Sequence, residues 1–118
     1  MKTKKNNKRT IIICLSFLNN LKLFHWNTRS YAEHIASDSL YEELSKLIDT
    51  LVESFLQNRI PIKTTINICT CNNKQFIHKI KEFKHCLNEI DVSNELLSLR
   101  DEIIIALDQF EYRLTLKN

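Results

Sequence analysis

The sequence predicts an all-α protein: a four-helix bundle with a long connection between helices two and three. Three observations lead there. The 118 residues include no glycine and a single proline, so residues that punctuate tight turns are nearly missing. Apolar residues recur at spacings of three and four in four separate segments, the period of an amphipathic helix. No segment calls for a sheet.

The first helix is expected from about Thr10 to Asn27, with Ile11, Cys14, Leu18 and Leu21 on one stripe. Four residues further along that stripe lies His25, which therefore faces inward beside the core. The second helix begins between Tyr31 and Glu33 and runs to about Asn58, with Tyr41, Leu44, Leu47, Ile48, Leu51, Val52 and Phe55 forming a broad apolar face. Between Arg59 and Asn73 the chain is expected to be irregular, because Pro61 ends helix continuity and the β-branched run from Ile62 to Ile68 suits a helix poorly. The third helix follows from about Asn73 to Ile90, carrying Phe76, Ile80, Phe83, Leu87 and Ile90 inward and leaving His78 and His85 on its solvated face. The fourth starts at an N-cap, Ser93, has Glu95 in its first turn and ends near Lys117. Its inward residues are Leu96, Leu99, Ile103, Leu107, Phe110 and Leu114.

A chain of this length makes one domain, small enough for an oligomer interface to help stabilise it. Without glycine, phosphate-cradling loops of the Rossmann and P-loop kinds are excluded. The formal charge of +3 is uneven: Lys2, Lys4, Lys5, Lys8 and Arg9 place five positive charges in the first ten residues, and the other 108 carry 12 basic and 14 acidic side chains. Residues 1–9 thus read as a basic, disordered arm ahead of a bundle domain spanning 10–118. Such an arm suits nonspecific binding to DNA through its phosphates, or is simply a solvated start to the chain.

The basic stretch and the apolar run from Ile11 to Leu18 have the outline of a signal peptide, but Asn19 and Asn20 break the run and no small-residue cleavage site follows. No stretch approaches the length of a membrane span, and the expected location is cytoplasmic. Cys14, Cys69, Cys71 and Cys86 form no recognisable framework and are expected as reduced thiols. A zinc site from Cys69, Cys71 and His78 is conceivable from residue type alone.

The residues with the most chemical content are His25, His34, Asp38, Asp49 and Glu53, grouped around the tripeptide His25-Trp26-Asn27. Two histidines and three carboxylates match the donor inventory of a dinuclear iron site. At about 100° per residue, the four on the second helix form one stripe, yet roughly 16 Å of helix separates Asp38 from Asp49. His34 with Asp38 can join one site and Asp49 with Glu53 another. Two copies packed antiparallel about a two-fold axis would bring the two halves together. Residue by residue the plain alternative holds: a satisfied core histidine at His25 and surface charges at Asp49 and Glu53.

These positions resemble the Dps-type miniferritins of the ferritin-like superfamily. There the first helix ends in His-Trp-Asn, a short loop follows, and the second helix supplies His, Asp, Asp and Glu at the offsets found here. The resemblance covers about residues 15–56, although Arg29-Ser30 stand where the family commonly has a glycine. It implies a ferritin-like four-helix bundle that binds iron (Fe2+/Fe3+) between subunits, acts as a ferroxidase and protects against oxidative damage. His25, His34 and Asp38 would come from one subunit, and Asp49 and Glu53 from the other. Trp26 would lie beside the metals and intercept oxidising equivalents, or else pack at the end of the first helix. The implied partner is the chain itself, as a homodimer or larger homo-oligomer. The last helix, at Glu95-Leu96-Leu97-Ser98-Leu99-Arg100-Asp101-Glu102, is similar to short ferritin-like proteins of phages and large viruses; for a viral protein the expected cytoplasm is that of the host. The alternative function is a metal-free interaction or structural module on the same scaffold, with nonspecific DNA binding through the basic arm.

Overall fold

A computed structural model describes residues 4–56 and 61–116, with side chains from Asn7 onward. Four helices account for most of it: α1 (Lys4–Asn27), α2 (Tyr31–Phe55), α3 (Asn73–Asn88) and α4 (Asn94–Thr115). α1 packs on α2 and α3, and α4 packs on the same two helices, so α1 and α4 occupy opposite corners of the bundle.

Local chemistry fixes the helix ends. Ser30 caps α2 by accepting a hydrogen bond from the Glu33 backbone N–H at 3.2 Å. Asn72 and Gln75 form a reciprocal capping box at the start of α3. Ser93 occupies the N-cap of α4 without capping its backbone; its hydroxyl instead bonds the Glu95 carboxylate, which lowers the pKa of that group. α1 starts upstream of the expected Thr10, so Lys4, Lys5, Lys8 and Arg9 lie in its first turns rather than in an arm before it. Lysine and arginine are good helix formers, and nothing in this stretch interrupts the helix.

The long connection has a geometric cause. Asn73, at the start of α3, hydrogen-bonds Glu33 near the start of α2, whereas α2 ends about 33 Å away at 1.5 Å per residue. The chain must therefore run back along the bundle before α3 can begin, and α2 and α3 point the same way. Extended backbone at about 3.3 Å per residue covers that distance in about ten residues, which suits the β-branched residues of the stretch 62–68. Residues 61–72 hold no helix or strand, as Pro61 and its neighbours predict. The Cys69 N–H donates to Asn20 Oδ1 at 3.1 Å, pinning the connection to a buried asparagine of α1.

The core is built around phenylalanines. Phe17 stacks on Phe83 at 4.4 Å, Phe24 stacks on Phe76 at 4.6 Å, and Phe110 meets Phe24 and Phe76 edge-on at 6.0 Å. Leu21, Leu44, Leu51, Ile80, Leu87, Ile103 and Leu107 enclose them with no more than 1% exposure. Lys84 of α3 closes the α3–α4 seam by pairing with Asp108 and Glu111. Among the described residues, no helix is long and apolar enough to cross a membrane.

Candidate functional site

The turn between α1 and α2 brings His25 and His34 face to face. Thr28 is central to that turn: its hydroxyl accepts from the Ser30 N–H at 3.2 Å and donates to Glu33 Oε1 at 2.6 Å. With its second oxygen on Asn73, Glu33 fastens the turn to the start of α3.

Inside the turn the two imidazoles stack with centroids 4.0 Å apart and planes 19° from parallel. His25 Nδ1 lies 2.9 Å from both the His34 carbonyl oxygen and Ser37 Oγ, and His34 Nδ1 lies 3.1 Å from the His25 carbonyl oxygen. A carbonyl only accepts, so both Nδ1 atoms are assigned as N–H donors. The Ser37 hydroxyl donates to the His34 carbonyl at 3.1 Å, which leaves its oxygen free to accept from His25. The result is a reciprocal clasp in which each ring closes on the other residue's backbone. His25 is 7% exposed and Ser37 fully buried, and no buried side-chain polar atom among the described residues lacks a partner.

Of the five expected metal ligands, His25, His34 and Asp38 lie at the α1–α2 turn and Asp49 and Glu53 lie further along α2. His25 Nε2 is 4.0 Å from Asp38 Oδ1, beyond hydrogen-bond distance, and Asp38 is half exposed. His34, Asp49 and Glu53 are exposed, the last two a further three to four turns along α2 from Asp38. Among the described residues no group of three or more His, Cys, Asp or Glu side chains could hold a metal ion. That corrects the expectation of iron (Fe2+/Fe3+) as cofactor: His25 lies at the end of α1, the other four candidates are spread along α2, and no three of them converge on one point. The same finding removes a three-ligand zinc site at Cys69, Cys71 and His78.

Trp26 points outward and is 67% exposed; Lys22 lies over its ring at 5.9 Å and over Tyr41 at 4.4 Å. Of the basic residues at the chain start, Lys8 and Arg9 are exposed, Lys4 and Lys5 belong to α1, and Lys2 lies outside the described residues. His78 and His85 are solvated and pair with Glu82 and Glu89 one turn on. All four cysteines are free thiols. Burial, and then the neighbouring Cys86, push the Cys14 thiol up to about 12.

A family model covers residues 25–114, from the first histidine of the clasp to the last turn of α4. The chain belongs to DUF5856, a family of unknown function. No curated protein and no solved structure matches this DUF5856 chain. Ser37 and Glu33, which hold the site together, have no role in it that the sequence alone assigns. Only Ser37 left a signal there, as a small polar residue three positions after His34 on the inward side of the helix.

Proposed function

We propose that this DUF5856 protein is an association module that pairs with a second copy of itself across the outer face of α1 and α2, on a ferritin-like scaffold that needs no iron centre. The ferritin-like reading is supported by the element order, with one long crossover between α2 and α3, and by His25-Trp26-Asn27 at the end of α1.

One observation carries the proposal: half of the exposed large apolar side chains, Leu15, Trp26, Tyr31 and Ile35, lie on this one helix pair. Trp26 and Tyr31, 67% and 76% exposed, stand on either side of the turn that the His25–His34 clasp fixes. Tryptophan and tyrosine on a rigid support have the character of interface anchors. The flanking charges suit a two-fold contact. α1 carries five basic residues and no acidic one, whereas α2 carries six acidic residues and one lysine. By helical periodicity Lys8, Leu15, Lys22 and Trp26 share one stripe of α1, and Tyr31, Asp38, Glu42 and Asp49 share one stripe of α2. An antiparallel two-fold pairing sets the basic stripe of each copy against the acidic stripe of the other.

Light scattering on the full chain, with Trp26 emission as a second readout, tests this. The expected result is a dimer whose single tryptophan is shielded from iodide, and whose melting temperature ignores Fe(II) and chelator. Trp26→Ala combined with Tyr31→Ala should give a folded monomer. A wild type that stays monomeric at high concentration, or one strongly stabilised by Fe(II), would refute the reading.

Nonspecific nucleic-acid binding is a second reading, favoured by one feature: exposed Lys8 and Arg9 lie in a stretch with no acidic residue before Glu33. Gel shifts in a salt series check it, since Lys8→Glu with Arg9→Glu should weaken binding and flatten its salt dependence.

A further inference from the structure

On the α3 side of the molecule the crossover presents two thiols, Cys69 and Cys71, that neither the clasp nor the α1–α2 face uses. They stand at positions i and i+2 of a non-helical segment and both line one open groove, together with Lys74, Gln75, His78 and Lys79 at the start of α3. Cys71 Sγ turns back toward the Cys69 carbonyl at 3.6 Å.

Both ends of this short segment are held. Upstream, the Cys69 N–H is bonded to buried Asn20; downstream, the Asn72–Gln75 capping box fixes the start of α3. Two thiols are thereby presented from anchored backbone rather than from a free loop, which reduces the ordering cost of binding.

The ligand follows from what the groove has and what it lacks. Zinc takes four ligands, whereas no group of three His, Cys, Asp or Glu comes together among the described residues. Calcium and magnesium require oxygen ligands. His78 and Glu82 also line the groove but do not join the two thiols in a three-ligand group, and a pair of thiolates suits a soft d10 cation of low coordination number. We infer that Cys69 and Cys71 form a two-thiolate site for a soft monovalent cation of the Cu(I) type. Binding is a ligand exchange with no redox step: the cation leaves its solvent or chelator ligands, two S–Cu bonds form, and each thiol still protonated releases its proton to solvent.

The test is an anaerobic titration of the full-length, reduced protein with Cu(I) against a colorimetric Cu(I) chelator, followed by thiolate-to-copper absorption in the ultraviolet. One equivalent per chain is expected, with proton release in weak buffer. Cys69→Ser and Cys71→Ser should each weaken the competition by at least about tenfold, because one thiolate cannot replace two. Cys86→Ser, on the far end of α3, should bind as the wild type does. Equal binding by the Cys69→Ser/Cys71→Ser double variant would overturn the inference, as would Zn(II) competing as well as Cu(I). Circular dichroism of each variant confirms the fold. Because the site lies away from the α1–α2 face, light scattering of the same samples reports dimerisation separately from copper.

Discussion

Replacing His25 by alanine separates a structural histidine from a metal ligand. The substitution removes the Nδ1–H donor shared between Ser37 Oγ and the His34 carbonyl, a net loss of about 1 kcal/mol. It also removes the stacking on His34 at 4.0 Å, worth about another 1 kcal/mol by analogy with aromatic pairs. The ring is buried, so the cavity left beside Ser37 adds a further contribution of the same order. The sum is roughly 2–3 kcal/mol. For a chain of this size that lowers the melting temperature by about 10 °C.

Thermal unfolding by circular dichroism, in buffer treated to remove metals, is the assay. His25→Asn, which keeps a side-chain N–H donor, should recover part of the loss. Asp49→Ala and Glu53→Ala, at exposed positions, should stay within about 0.5 kcal/mol of the wild type. If His25→Ala melts with the wild type in metal-free buffer, the clasp contributes nothing and the argument from its hydrogen bonds fails. If destabilisation appears only when Fe(II) is present, and Asp49→Ala shares it, the ligand reading was correct after all.

Phe76→Ala should be the most damaging single change in the core, about 3–5 kcal/mol by denaturant unfolding, because Phe76 is fully buried against Phe17, Phe24 and Phe110. In native protein at neutral pH a thiol reagent should label Cys69 readily and leave Cys14 unmodified until the chain unfolds. Cys14 also makes stability fall at high pH. Its folded pKa is raised from 9.0 to about 12, so the unfolded thiol ionises first, and stability declines by about 1.4 kcal/mol per pH unit across that window. Cys14→Ala should flatten the alkaline limb of a plot of melting temperature against pH. At Lys84, partial burial pulls the ammonium pKa down, but hydrogen bonds and charge from Asp108 and Glu111 outweigh it and leave the pKa raised; Lys84→Met should cost about 1–2 kcal/mol near neutral pH, a difference that shrinks as pH rises past 10.5.

Much of the fold is legible in the periodicity, for a physical reason. A core face repeats every 3.6 residues whatever it packs against, so Leu44, Ile48 and Leu51, or Ile80, Phe83 and Leu87, declare themselves without a partner in view. Pro61 likewise announces the crossover. Phe17 and Phe24 escaped because the stripe through Ile11, Cys14, Leu18 and Leu21 was drawn along one edge of α1, whereas the buried face is wider and centres nearer the phenylalanines. The start of α1 escaped because a basic stretch can be helical or solvated with equal local support. Ser37 and Asn20 could not be assigned roles at all, since each is defined by a partner that is distant in sequence or lies in the backbone.

The sequence places His25 inward and leaves it either a ligand or a satisfied core histidine; it does not show which groups satisfy it. A spacing pattern specifies which side chains share a helix face; it is silent on which way an imidazole turns. Here both Nδ1 atoms turn to carbonyls, and that choice has two consequences. It satisfies polar groups where α1 meets α2, so the turn can be short and rigid without glycine. It also fixes the turn beside Trp26, which the helical period carries to the outer side of α1. The clasp that holds His25 thus also holds the turn that carries the proposed association surface. Releasing the clasp with His25→Ala should therefore weaken dimerisation in a bundle that is still folded, and a folded variant that dimerises as the wild type does would place Trp26 outside the interface.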